Sequence, residues 1–289
     1  MKHYLISLLL LCLFTAPVMA EEKGTAGGAA PVLRFGVGAR AFAMGGAYAS
    51  VVDDASAVYW NLGGLANLET ATFTAMHSEL FAGTKYDYLG WATPLQNGTI
   101  GLNYLSLATP GIIATDGTEH SASVRVLYLG YGQEINGWRL GITGKYLEES
   151  VLESAGGSAG TAWSLDFGVQ KDLNRNFKVG LVLQDLIGSK IKWGTGYEED
   201  IPLNYRLGLG YLKDNFLITM ETEQALDYSV NHFGLEYSLN EFVKLRTGLR
   251  NADLTAGVGL AKGMWGFDYA YCAGDLENTH RLSFTVAFK

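Results

Sequence analysis

The chain alternates apolar and polar residues from about residue 70 to its C-terminus. In residues 202–212, for example, tyrosine and leucine alternate with arginine and glycine. A period of two residues places successive side chains on opposite faces of a β-strand. The pattern therefore predicts an all-β structure over residues 70–289.

Fourteen segments of about ten residues carry this alternation, and turn residues bound them. The predicted strands cover residues 71–82, 85–95, 99–107, 121–133, 138–148, 161–171, 177–187, 202–212, 216–225, 229–238, 242–250, 253–261, 264–273 and 279–288. Every second connection is a tight turn, whereas the loops 108–120, 149–160 and 188–201 are long. Tight turns at one edge and longer loops at the other are typical of outer-membrane barrels.

The two faces of the predicted strands differ in chemistry. One face is almost unbroken Leu, Val, Phe, Tyr and Trp, and the other carries glycine and charged residues. Fourteen strands exceed the size at which open sheets curl or close, and lipid does not tolerate open strand edges. We therefore predict a 14-stranded antiparallel transmembrane β-barrel, with a soluble all-β sandwich or a lipocalin-like barrel as the alternative.

The composition agrees with apolar residues that are dispersed by alternation. The chain is 48% apolar with a mean hydropathy of +0.10, and 37 of its 289 residues are glycine. Only 17% is charged, against roughly 25% in an ordinary soluble domain. Such a composition argues against disorder, and no apolar run of about 20 residues follows the first twenty.

Residues 1–20 have the features of a secretory signal peptide. A positive start precedes an apolar run, and Val18 and Ala20 are the small residues expected before cleavage at Glu21. Removal takes away one lysine and no acid, which changes the formal net charge from −8 to −9. Only Cys272 then remains, so an intramolecular disulfide is excluded.

The sequence carries no motif for covalent catalysis or for metal binding. The histidines are scattered, and neither a nucleophile elbow nor a phosphate-binding loop is present. An acidic chain without a basic cluster also argues against nucleic acid as a partner. We therefore predict no enzyme, no cofactor and no metal site.

Residues 35–69 lack the alternation and carry a different pattern. Asp53 or Asp54 can cap a short helix over residues 55–60, and Gly63 with its neighbouring glycine would end it. Three short motifs surround this helix: Gly-Ala-Arg-Ala from residue 38, Met-Gly-Gly-Ala from residue 44, and Asp-Asp-Ala-Ser-Ala from residue 53. With Asn61, these motifs resemble the N-terminal signature of the PorV/PorQ family, part of the wider FadL-like group of outer-membrane transporters. The chain has Leu62 where that family usually has proline.

The resemblance implies that residues 21–69 are an N-terminal extension and a hatch that folds into the lumen of the barrel. The hatch or gate residues that it implies are Gly38, Arg40, Met44, Gly45, Asp53, Asp54, Ser56 and Asn61. The lumen charges expected to face the hatch are Arg125, Arg139, Asp166, Arg246 and Arg250. These charges either form a gate that shifts with cargo or solvate a wet interior and hold a plug.

Two long loops carry apolar residues on the predicted outer side. The candidate ligand-entry residues are Ile112, Ile113, Ile191, Trp193 and Tyr197. Exposed apolar clusters commonly mark binding surfaces, although the loops can also pack on each other as a lid.

The leading functional hypothesis is passive transport of hydrophobic small molecules across the bacterial outer membrane, with outer-membrane lipid around the barrel. One alternative, implied by the resemblance, is a scaffold or shuttle in type IX protein secretion, whose partner is a secreted protein. The other alternative is a general diffusion porin. An even strand count also places both chain ends on one side, which we expect to be the periplasm.

Overall fold

The computed structural model describes residues 29–113, 115–151, 158–187, 189–225, 228–274 and 277–288. The predicted signal peptide, residues 1–20, lies outside these residues, as does the start of the predicted extension. In the described part of the chain, sixteen strands form one antiparallel sheet, and fourteen of them close into a barrel.

The barrel strands are β1 Thr72–Leu80, β2 Thr84–Leu95, β3 Gly98–Ile113, β4 Glu119–Ile135, β5 Trp138–Val151, β6 Ala159–Asp172, β7 Phe177–Gln184, β10 Asn204–Lys213, β11 Phe216–Ala225, β12 Tyr228–Ser238, β13 Val243–Arg250, β14 Asp253–Lys262, β15 Trp265–Cys272 and β16 Thr279–Ala287. The first strand pairs with the last, from Thr72 opposite Ala287 to Glu79 opposite His280, and this pairing closes the ring. The predicted fourteen-stranded antiparallel barrel is therefore confirmed.

The predictions for two of the long loops are partly wrong, because strands extend into both. The loop predicted over 188–201 contains a hairpin of β8 Lys190–Trp193 and β9 Glu198–Asp200, whose first strand pairs with the start of β6 at Gly160 and Thr161. The loop predicted over 108–120 is shorter, because β3 and β4 stay paired past a bulge as far as Ile113 and Glu119. Strands of three or four residues are too short for alternation to reveal them.

The tight turns have the backbone geometry that hairpins require. Between β4 and β5, Asn136 and Gly137 have φ angles of +52° and +76°. Positive φ at both central residues matches the twist of the flanking strands, and asparagine followed by glycine is the favoured pair there. These turns define one edge of the barrel, called the turn edge below, and the longer loops define the loop edge.

Side chains alternate across the wall as the sequence pattern predicts. On β4, Leu127, Leu129 and Tyr131 point outward and stay exposed, whereas Val126 and Tyr128 point inward and are buried. A continuous apolar outer surface of this kind is stable against lipid chains and costly against water. The protein core consequently lies inside the barrel.

The N-terminal segment, residues 29–71, fills that interior. Ala39 N–H donates to Ser283 Oγ (2.7 Å) on β16, and the side-chain amide of Gln170 on β6 donates to Ala49 O (3.0 Å). Most residues of the segment are buried. The segment thus contacts opposite sides of the wall at once.

The helices of the segment are short. They are α1 Ala39–Ala43 and α2 Ala57–Trp60, with 3-10 turns at Pro31–Arg34 and Leu62–Asn67. The helix predicted over 55–60 begins two residues later, because Asp54 Oδ1 accepts the backbone N–H of Ser56 (2.7 Å) before the first turn. The helix ends at Trp60 as predicted, but the glycines do not end it, because Asn61 is already extended and the second 3-10 turn runs through Gly63. No helix in the described residues is long and apolar enough to cross a membrane.

Candidate functional site

The N-terminal segment meets the barrel wall through two surfaces of opposite character. The first, called the ionic sector, is formed by the inward-facing residues Arg206, Glu221, Glu223, His232, Glu236, Arg246 and Asp268 of β10–β15. The second, called the apolar sector, is formed by the inward-facing residues Tyr86, Tyr88, Leu105, Val126, Tyr128 and Leu147 of β2–β5. The segment therefore has a polar side and an apolar side within one lumen.

Arg40 on α1 connects the segment to the ionic sector. Its guanidinium lies 2.7 Å from Asp53 Oδ1 and 3.0 Å from Glu236 Oε2. Arg246 of the wall donates to the same Glu236 oxygen at 2.7 Å and to Asp268 Oδ1 at 2.6 Å. Glu236 thus binds one arginine from the segment and one from the wall, and such charge-assisted bonds are about twice as strong as neutral ones.

A second ionic contact holds the loop that follows α1. Glu221 accepts the backbone N–H groups of Tyr48 (3.0 Å) and Ala49 (2.7 Å) through one oxygen. Its other oxygen accepts from Arg206 Nε at 2.5 Å, and Arg206 also donates to Gly46 O at 3.0 Å. Both charged side chains are almost completely buried, so each depends on the other and on the segment for its hydrogen bonds.

Gly45 fits a gap in which the wall backbone leaves no room for a side chain. Its φ is +64°, and a Cβ atom there would lie 2.7 Å from Phe233 O. Its N–H donates to Thr255 Oγ1 (3.1 Å), and its carbonyl accepts from His232 Nδ1 (2.6 Å). The residue therefore needs both the left-handed backbone and the missing side chain of glycine.

The other implied hatch residues have structural contacts of their own. Gly38 N–H donates to Met76 Sδ at 3.1 Å, and Met44 is fully buried. The Asn61 amide donates to Ala49 O (2.8 Å) and to Val169 O on β6 (2.9 Å). Asn61 thereby ties two parts of the segment to the wall.

Inward-facing glycines make room for the segment near the turn edge. A Cβ atom at Gly141 would lie 2.5 Å from Leu62 Cβ, and one at Gly132 would lie 2.8 Å from Leu65 Cβ. Leu62, which stands where the PorV/PorQ signature usually has proline, therefore fills space against the wall. Close backbone approach is what glycine permits in such positions.

The apolar sector packs against the other side of the segment. The rings of Tyr59 and Tyr128 meet edge to face with centroids 6.1 Å apart, and Tyr59 OH donates to Leu33 O at 2.8 Å. Ile191 of the loop hairpin is fully buried in the same core. The hairpin thus covers the loop-edge end of the apolar sector.

Asp54 lies where the segment turns into α2. It accepts from the Ser56 backbone at 2.7 Å and from Tyr48 OH at 3.4 Å. Burial, and then the neighbouring charge of Asp53, raise the pKa of Asp54. Its role in this structure is local, since it shapes the start of the helix.

The predicted lumen charges divide into four that face inward and one that does not. The prediction that Arg125 faces the lumen is wrong, because the alternation of β4 places this residue on the outward face. There its guanidinium lies 3.8 Å from Glu148 Oε1. Arg139 contacts the segment at Asn67 Oδ1 (2.6 Å), and Asp166 pairs with Lys145 of the wall (2.8 Å). Arg246 and Arg250 lie on the inward face of β13.

The predicted entry residues also differ in placement. Ile113 and Tyr197 are exposed, at 65% and 64%. The exposure expected for Ile191 is wrong, because it packs against the inward face of Gly160 on β6. Trp193 is partly buried beside it, while Ile112 lies in the extended β3–β4 pair. Ile113 and Tyr197 are therefore the two predicted entry residues whose side chains are exposed.

Sequence reasoning missed the acids that receive the segment. Glu221 follows Thr219 at the spacing of two, and Glu236 follows Gly234 in the same way, so both belong to the inward face. That spacing could have identified them as lumen carboxylates. Their partners could not be identified, because Arg40 and Glu236 lie 196 residues apart in the chain.

The fold is similar to that of solved outer-membrane channels. The toluene transporter TodX of Pseudomonas putida aligns with a TM-score of 0.62 at 14% identity, over 88% of this chain and 99% of that one. A Pseudomonas aeruginosa FadL homologue aligns with a TM-score of 0.62 at 10% identity, over 88% and 98% of the two chains. A TodX deltaS2 mutant, described as a monoaromatic hydrocarbon channel, gives 0.63 at 13% identity over 88% and 99%.

No protein-family model and no curated protein matches the sequence. The PorV/PorQ assignment accordingly stays a prediction from the signature. At identities of 10 to 14%, the structural likeness concerns the fold. The chain has the fold of the FadL-like outer-membrane barrels.

Proposed function

We propose that the chain is an outer-membrane channel through which hydrophobic small molecules pass passively. The observation that carries the proposal is the apolar sector of β2–β5, which Ile191 of the loop hairpin covers at the loop edge and which Ala92 of β2 continues toward the turn edge. An apolar solute that leaves water for an apolar surface gains about 25 cal/mol per Å². The sector therefore offers such a cargo a favourable path along one side of the lumen.

The N-terminal segment acts as the hatch in this proposal. A hydrophobic cargo can replace the contacts of Val58 and Tyr59 with the apolar sector, because apolar contacts are exchangeable and non-directional. An apolar cargo cannot replace the hydrogen bonds that the segment donates to Glu221 and Glu236, because it has no donor to offer these buried carboxylates. The segment consequently shifts away from the apolar sector while the ionic sector anchors it.

We place the turn edge in the periplasm. The chain enters β1 at Thr72 and leaves β16 opposite it at Ala287, so both lie at the turn edge. Longer loops of bacterial barrels face outward, and short turns face the periplasm. The hairpin of β8 and β9 then covers the apolar sector from the outside.

The diffusion-porin alternative requires an open polar channel. Two cavities between the segment and the wall are too small for such a channel. One holds about 40 Å³ beside Trp60 and Arg206, and the other holds about 10 Å³ beside Arg40. Spaces of this size hold one or a few waters. The secretion alternative rests on the signature from Gly38 to Asn61.

Uptake and conductance distinguish the three functions. Bacterial cells that lack their own hydrophobic-compound channels would express the chain, and entry of a radiolabelled monoaromatic hydrocarbon would be measured. The proposal predicts faster entry than in cells with an empty vector, together with negligible ion conductance of the purified protein in planar bilayers. Steady conductance without faster entry would instead support the porin. Neither activity, with a co-purifying secreted protein, would support the secretion component.

A further inference from the structure

The outward face carries a groove at the turn edge, between the ends of β13, β14 and β15. The groove holds about 440 Å³, and its lining includes Phe242, Leu260, Phe267 and Phe284. A second hollow of about 420 Å³ continues past the β14–β15 turn to Phe288. Two residues line both hollows, namely Lys262 and Trp265. Each hollow has the size of a small-molecule binding site.

The walls of the groove are aromatic and ordered by contacts with each other. Trp265 and Phe284 stack with ring centroids 5.4 Å apart and an interplanar angle of 28°. Phe242, Trp265 and Phe267 are each about half exposed, so the groove keeps a large apolar area. That area suits hydrocarbon chains, because contact with them removes apolar surface from water and lowers the free energy.

Among the described residues that line the groove, Lys262 is the only charged one. It is the last residue of β14 and stands opposite Trp265 in the hairpin. Asp268, an inward-facing carboxylate of the neighbouring strand β15, is directed to Arg246 at 2.6 Å. A lysine at the rim of an apolar groove can lay its stem along the apolar surface and extend its ammonium to a polar head group.

We infer that this groove is a specific site for an anionic glycerophospholipid of the membrane leaflet at the turn edge. One acyl chain lies between Phe242, Phe267 and Phe284, and the second follows the hollow toward Phe288. The phosphate group meets the Lys262 ammonium between the two hollows. Charge complementarity selects the anionic lipid, since basic residues near a membrane surface attract such head groups. The inference depends on the membrane location of the barrel and not on its transport function.

The chain supplies a matched control for this site. Lys213 ends β10 as Lys262 ends β14, and each is followed three residues later by an aromatic residue, Phe216 or Trp265. Lys213 does not line the groove, and the acid Asp214 follows it directly. Lys213→Gln therefore removes a turn-edge lysine outside the groove, and the proposed site predicts that this change has no effect on lipid preference.

Tryptophan quenching by brominated lipids tests the site. The mature protein would be reconstituted in vesicles of unbrominated lipid that contain either brominated phosphatidylglycerol or brominated phosphatidylcholine. The signal of Trp265 is obtained as the difference from a Trp265→Phe variant. We expect phosphatidylglycerol to quench it with an affinity about fivefold higher, as one basic residue provides. Lys262→Gln should remove this preference, and Lys213→Gln should keep it.

Equal quenching by the two lipids would overturn the inference, and so would an equal loss of preference in both lysine variants. Heat-modifiable migration on gels confirms that each variant is folded. Native mass spectrometry adds a second readout, in which the proposal predicts retained phosphatidylglycerol that Lys262→Gln loses. A protein dimer without retained lipid, abolished by Trp265→Phe, would assign the groove to a second copy of the chain and overturn the lipid site.

Discussion

Single residues of the N-terminal segment determine how it fits the wall. Gly45 and Arg40 do so in different ways, because the first is required for its shape and the second for its charge. Most neighbours of these residues are far away in the sequence. Substitution of Gly45 therefore tests the stability of the barrel, and substitution of Arg40 tests the proposed gating.

Gly45→Ala should destabilise the folded barrel. A methyl group would be placed 2.7 Å from Phe233 O on a backbone with φ of +64°, which combines left-handed strain with a steric clash. We expect a loss of about 2–4 kcal/mol in the free energy of unfolding, measured by urea titration in lipid vesicles. Gly137→Ala is the control, because its φ is +76° but nothing lies within 4 Å of the added atom. Equal losses in both variants would contradict the packing account of Gly45.

Arg40→Ala should loosen the hatch without unfolding the wall. Glu236 keeps Arg246 at 2.7 Å and Lys244 at 3.3 Å, so its charge stays compensated. Loss of a charge-assisted hydrogen bond corresponds to roughly tenfold or more in the population of shifted segment. We expect hydrocarbon entry and ion leakage to rise in the uptake and bilayer assays, while Arg125→Ala on the outward face leaves both unchanged. A normally folded variant with unchanged uptake would refute the gate.

At the scale of elements, the hairpin of β8 and β9 acts as a cover for the apolar sector. Ile191 is buried against Gly160, whereas Tyr197 in the same hairpin is exposed. Ile191, together with Ile201 just after β9, thus anchors an element whose own strands are short. The stability of this cover depends on the barrel interior rather than on its own hydrogen bonds.

Ile191→Ala should release the hairpin. Removal of a buried isoleucine side chain costs about 2–5 kcal/mol, and here the cost falls on the local docking of the hairpin. Hydrogen exchange of the amides in residues 189–201 should become faster by at least roughly thirtyfold, while barrel strands stay protected. Tyr197→Ala should leave exchange unchanged. Unaltered protection after Ile191→Ala would mean that the hairpin does not depend on the lumen core.

The strands of the barrel were predictable because each carries its own alternation. The short strands of the hairpin were not, and neither was the buried position of Ile191, since three or four residues leave no period to read. Arg125 was misplaced although its spacing from Leu127 puts it on the outward face. The contact between Arg40 and Glu236 could not be predicted, because the pairing depends on barrel closure and not on local sequence.

At the scale of the whole molecule, the lumen is divided between an ionic half and an apolar half. The N-terminal segment is held by buried charges on β10–β15 and by apolar contacts on β2–β5, where hydroxyl groups such as those of Tyr86 and Thr143 also donate to its backbone. The apolar, glycine-rich composition of the chain follows from the same arrangement, because apolar residues cover both the lipid face and one half of the lumen. We propose that the segment stays anchored on the ionic side and leaves only the apolar side of the wall.

A reversible disulfide across the apolar side tests that claim directly. Val58 Cγ1 lies 3.1 Å from the position of a Cβ atom at Gly130, which is within reach of a disulfide bond. The variant would combine Val58→Cys and Gly130→Cys with Cys272→Ala, and hydrocarbon entry into cells would be measured before and after reduction. We predict that entry is blocked in the oxidised protein and restored by reductant. Equal entry in the oxidised and reduced states, with the disulfide shown to be formed, would contradict passage along the apolar side of the lumen.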